Sequence, residues 1–113
     1  MGNIVKAEVE MSDKQGETIL YAGAVGTTAL QIPTVADKSL DEVSVRCAVD
    51  QAANKRLEFS FDNVVFHRLS VGEAREEEPR GDIVKMYIRA AGLGVTTVNY
   101  EVAINYGRLP PTI

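Results

Sequence analysis

Apolar and polar residues alternate with period two through most of this chain, the mark of strands with one wet face. From Glu42 to Asp50, Val43, Val45, Cys47 and Val49 fall on one side and Glu42, Ser44, Arg46 and Asp50 on the other, with only Ala48 blurring the alternation. Val5, Ala7, Val9 and Met11 oppose Lys6, Glu8 and Glu10, which predicts a first strand over residues 3–11. Leu57, Phe59 and Phe61 alternate with Glu58 and Ser60, and Val84, Met86, Ile88 and Ala90 with Lys85, Tyr87 and Arg89. Val98, Tyr100, Val102, Ile104 and Tyr106 alternate with Asn99, Glu101, Ala103 and Asn105. Two further segments, Thr18 to Val25 and Val64 to Val71, are apolar on both faces, which predicts central or sandwiched strands. A short piece, Thr28 to Ile32, ends at Pro33 and belongs at an edge.

The connections are short and carry turn chemistry, notably Ser12 to Gly16, Gln51 to Asn54, Asp62-Asn63 and Gly92-Leu93-Gly94. The expected fold is therefore all-β, an antiparallel β-sandwich or small barrel of seven to eight strands in one domain over residues 1–113. Gly92-Leu93-Gly94 predicts a terminal hairpin of Ile83 to Ala91 against Val95 to Tyr106, and Gly72 to Asp82 reads as the longest irregular stretch. One competing reading is α+β with a helix near residues 40–55, because Ser39-Leu40-Asp41-Glu42 fits a capping box. Such a helix would spread Val43, Val45, Cys47 and Val49 around nearly its whole circumference, which favours the strand.

Composition agrees with the pattern. Fourteen Val and seven Ile stand against seven Leu, and branching at Cβ suits a pleated sheet better than a helix. Twelve basic and sixteen acidic side chains give a formal charge of −4, without the basic density that nucleic acid or an anionic membrane calls for. No apolar stretch approaches the roughly 18 residues of a spanning helix. A single cysteine and the lack of any Asn-x-Ser/Thr acceptor point to a soluble, acidic protein of a reducing cytoplasm.

Candidate chemistry is sparse. His67 is the only histidine, which removes paired-histidine metal sites, and no Gly-x-Ser-x-Gly elbow accompanies it. Cys47 sits among valines, where a thiol behaves as a small hydrophobe with a raised pKa. The charged run Glu73 to Asp82 lacks the alternate spacing of a calcium loop and reads as a solvated loop, and its Arg80-Gly81-Asp82 tripeptide recurs by chance. Gly92 and Gly94 suit positive φ in a turn, not a phosphate cradle. Tyr87, Tyr100 and Tyr106 are the candidates for an aromatic platform, although Tyr100 and Tyr106 share an apolar face.

With no catalytic residue, metal site or cofactor indicated, the expected function is a non-catalytic structural or protein-interaction subunit, not an enzyme. Its partner would be protein, most simply further copies in a homo-oligomer joined through the two segments apolar on both faces. The alternative expectation is a small-ligand or carbohydrate-binding β-barrel using His67, Tyr87 and the loop Gly72 to Asp82.

Overall fold

The period-two alternation is realised in eight strands in a computed structural model that describes residues 18–79 and 81–107. They are β1 (Thr18–Val25), β2 (Leu30–Ile32), β3 (Leu40–Cys47), β4 (Arg56–Ser60), β5 (His67–Ser70), β6 (Ala74–Glu77), β7 (Met86–Ala91) and β8 (Val98–Tyr106). One sheet has the order β1-β8-β3-β6 and the other β2-β7-β4-β5, and every pairing is antiparallel. The chain crosses between the sheets at every connection but the β4–β5 hairpin. Eight strands wound in this way make a jelly roll.

The inward residues of the two sheets meet in one dry layer. The second sheet contributes Leu57, Phe59, Leu69, Met86 and Ile88, and the first contributes Leu40, Val43, Val45, Val98, Val102 and Ile104, all at 2% exposure or less. Each such side chain stabilises the fold by about 1.5–3 kcal/mol relative to leaving it in water. Cys47 lies in the same layer, fully buried, and burial pushes its thiol above the ordinary value, as a cysteine between valines should behave.

Several expectations are corrected. The competing helix near residues 40–55 is absent and the favoured strand is present as β3, but it stops at Cys47 instead of Asp50. The stop has a cause: the Gln51 amide donates to the carbonyls of Ala48 (2.6 Å) and Asn99 (3.0 Å) and accepts from the Asn99 N–H (2.8 Å). This staple turns the chain, so Val49 points outward at 59% exposure where the alternation placed it inside. Ile83 to Ala91 and Val95 to Tyr106 do not form a hairpin, because β7 and β8 lie in different sheets. Gly92 (φ +113°) and Gly94 (φ +74°) do take the left-handed region, but the turn carries the chain across the sandwich and drops Val95 into the core.

Val64 to Val71 shortens to the edge strand β5, with Val64 and Val65 in the preceding turn at 77% and 58% exposure. Among the described residues β1 is also an edge, paired only with β8, where a central or sandwiched strand was expected. Gly72 to Asp82 contains β6, which pairs with β3 despite its charge. Charge is one way a protein blunts an edge strand. The short Leu30–Ile32 strand ends before Pro33, as expected. The strand expected over residues 3–11 lies outside the described residues.

The two valines of the β3 segment separate core from surface. Val45→Asp should cost several kcal/mol, enough to unfold a domain whose total stability is about 5–15 kcal/mol. Val49→Asp should stay within about 0.5 kcal/mol of wild type. Urea titration of the two variants checks this, and equal destabilisation would contradict the register.

Candidate functional site: an arginine pair on the outer face of the second sheet

With Leu57 and Phe59 turned inward, β4 must present Arg56, Glu58 and Ser60 on the outer face of its sheet. The register then sets Arg68 of β5 and Arg89 of β7 directly opposite Glu58, one on each side. Arg68 donates through Nε (3.0 Å) and Nη2 (2.9 Å) to Oε2, and Arg89 donates through Nε (2.8 Å) to Oε1. Charge-assisted bonds of this kind are about twice as strong as neutral ones, and opposite charges across a strand pair stabilise the sheet.

Glu58 is buried at 8% exposure, while the arginine side chains remain 57% (Arg68) and 39% (Arg89) exposed. Burial by itself would raise the Glu58 carboxyl, but the hydrogen bonds and charges of Arg89 and Arg68 outweigh it and hold the group below its usual range. Phe66 completes the cluster, its ring centroid 3.7 Å from the Arg89 guanidinium carbon. Each guanidinium has five N–H donors, and Glu58 takes two from Arg68 and one from Arg89. The arrangement therefore fixes two cations in place and leaves donors over for an oxyanion.

The two outer faces differ in sign. On the second sheet Arg56, Arg68 and Arg89 surround the single Glu58, whereas the first sheet turns Glu42, Glu76 and Glu101 outward with Arg46. A groove of about 550 Å³ crosses the first sheet, floored by Ser44 and Ala103 and walled by Glu42, Glu76 and Glu78. Its charged lining is carboxylate, with Thr18 and Asn105 beside it, and among the described residues no set of three His, Cys, Asp or Glu side chains converges as metal ligands.

The residues expected to bind a ligand are not brought together. His67 opens β5 opposite Phe59, on the inner side at the rim, with its ring 5.3 Å from that of Phe59. Tyr87 stands on the outer face opposite Ser60 and Gln31. The Gly72 to Asp82 stretch is tied to the other sheet through β6. Tyr106 is buried, and its hydroxyl lies 2.6 Å from that of Tyr21, so it serves the packing. Glu58, Arg68, Arg89 and Phe66 carried no signal in the sequence, because only the cross-strand register gathers them.

No family model matches the chain, and no curated protein matches it in sequence. Solved structures share its fold. The cobalt(II) form of HppE in complex with Tris buffer is 13% identical over 77% of this chain and 45% of its own, with a TM-score of 0.50. Hydroxypropylphosphonic acid epoxidase from S. wedmorenis, in complex with fosfomycin, is 15% identical over 78% of this chain and 43% of its own (TM-score 0.46). The Yersinia pseudotuberculosis-derived mitogen is 9% identical over 80% and 86% (TM-score 0.48). The chain thus spans less than half the length of the first two.

The likeness to HppE corrects the expected function. A structural or protein-interaction subunit was inferred from a helix-free sandwich without a recognisable site, and the same sandwich occurs in HppE, whose structure holds cobalt(II), so the fold does not carry that inference. The surplus apolar sheet surface invoked for self-association is also missing at 64–71, where the valines occupy a turn. The barrel alternative fares no better, since the space between the sheets is filled by Phe59, Met86, Ile88 and their neighbours. That apolar filling, with His67 at the rim, does not fit a metal centre between the sheets.

Because folding lowers the Glu58 pKa, its contribution to stability is complete above the unfolded value of about 4.3 and fades as pH falls through the lower folded value. Glu58→Gln should destabilise by about 1–2 kcal/mol at pH 7, less than for a fully buried pair because both guanidiniums are partly solvated. The gap to wild type in urea should narrow below about pH 4.3. A gap unchanged from neutral pH to about pH 3 would contradict an ionised, arginine-held carboxylate.

Proposed function

We propose that this jelly roll is a recognition domain that takes a phosphate-bearing partner on the outer face of its second sheet, through Arg68 and Arg89. The observation that carries the reading is Glu58, a buried carboxylate that holds both guanidiniums in fixed positions while their remaining donors stay accessible. A planar fork of donors matches a phosphate better than the point charge of a lysine does. Arg56 on the same face adds a third cation, although its own Nη1 is already engaged with the carbonyls of Ala53 and Lys55. The formal charge of −4 does not oppose this, because the acidic side chains belong largely to the other face and to loops.

Inorganic polyphosphate is the simplest probe. Titrated into the wild-type protein at low salt, it should shift the Nε–H resonances of Arg68 and Arg89 before those of Arg46 on the opposite face. Arg89→Lys, which keeps the charge and hence the partner of Glu58, should weaken binding about three- to tenfold, and Arg46→Ala should leave it unchanged. Resonances that move equally on both faces, or not at all, would refute the reading.

A further inference from the structure

The hairpin that carries Arg68 also carries an exposed apolar knob. Between β4 and β5 the chain makes a tight turn in which one Asp62 carboxylate oxygen accepts from the Val64 N–H (2.9 Å), the Val65 N–H (3.0 Å) and the Ser60 hydroxyl (2.8 Å). The Ser60 hydroxyl oxygen accepts in turn from the N–H groups of Asp62 (3.1 Å) and Asn63 (2.8 Å), and Asn63 takes a left-handed φ of +61°. This network fixes the turn and holds Val64 and Val65 outward at 77% and 58% exposure. Phe66 follows directly, against Arg89, and then Arg68 against Glu58. Because β2 ends opposite the start of β7, the loop after β2 emerges at the same end of the sandwich and exposes Val35 at 66%. Val64 and Val65 are thus adjacent apolar side chains held in water four and three residues before Arg68, with Val35 exposed at the same end.

Resting on the phosphate-recognition reading, we propose that this end of the domain docks on a phospholipid bilayer, with Val64 and Val65 entering the headgroup–acyl boundary and Arg68 and Arg89 meeting lipid phosphates. The chemistry matches on both counts: apolar side chains leave water, and guanidiniums find oxyanions in the plane just above. Asp37, Asp62, Glu78 and Asp82 lie in the loops of the same end, and Lys38 and Lys85 offset only part of their charge. Long-range attraction to an anionic surface is therefore weak. Contact depends on the valines, and added salt should change it little.

Sedimentation with vesicles of phosphatidylcholine and phosphatidylserine (7:3) tests this, alongside polyphosphate binding of the same proteins. Wild type should sediment with the vesicles. Val64→Asp with Val65→Asp, both at exposed positions that leave the core intact, should reduce that fraction at least tenfold while polyphosphate binding persists. Wild type that binds polyphosphate but not vesicles overturns the bilayer inference and leaves the phosphate reading standing. Equal sedimentation of wild type and the double variant also overturns it. Failure to bind either probe removes both readings.

Discussion

Two four-stranded sheets stay face to face only while the side chains between them exclude water. Here that layer is built from Leu57, Phe59, Leu69, Met86 and Ile88 against Leu40, Val43, Val45, Val102 and Ile104. Its consequences extend to the surface, because strand side chains alternate and each inward residue commits its neighbours outward. Once Phe59 is a core residue, Glu58 has to face out of the second sheet. Once Leu69 and Ile88 are core residues, Arg68 and Arg89 must face the same way. A slip of one residue in β4 would turn a carboxylate into the apolar layer and a phenylalanine out of it, so the hydrophobic layer itself selects the register that brings the three charges together.

The cluster is not chiefly a source of stability. A buried ion pair regains little more than the desolvation it costs, and an apolar replacement is often as stable. What Glu58 does supply is fixed geometry. One carboxylate shared between two strands, with Phe66 behind one of the guanidiniums, leaves two flexible side chains few rotamers. The outcome is a local excess of positive charge on a protein whose overall charge is negative. Whole-chain charge is a poor guide wherever a sheet sorts its residues by face.

The same sorting decides what could be read from sequence. Period-two alternation identified β3, β4, β7 and β8 and most of their buried residues, because those strands each have one wet face. It failed where other forces set the direction of the chain. The Gln51 staple turned Val49 out of the core, and hydrogen bonding by Asp62 and Ser60 placed Val64 and Val65 in a turn. β6 was missed because a charged edge strand has no apolar alternation to detect. The β7–β8 connection looked like a hairpin since glycines at positive φ serve a sheet-to-sheet crossover as readily as a tight turn. Arg68 and Arg89 lie 21 residues apart, and only pairing of both with β4 brings them to one carboxylate.

The turn at Asp62 joins the misread stretch to the proposed contact. Asp62-Asn63 was legible as a turn, and the structure supplies the mechanism: an aspartate that caps the amides two and three residues ahead and is held below its ordinary pKa chiefly by the Val65 and Val64 N–H groups. Those amides would be donated equally well by serine or glycine, so the turn does not require valine. Nor does the core, which the two side chains do not reach. Two β-branched residues in a polar, rigid turn fulfil no need of the fold itself, and the physical property they add is an apolar surface of fixed shape. Placed one residue before Phe66 and three before Arg68, that surface is tied through the hairpin and the shared Glu58 carboxylate to both guanidiniums, a geometry that suits the proposed simultaneous contact with an apolar layer and its phosphate plane.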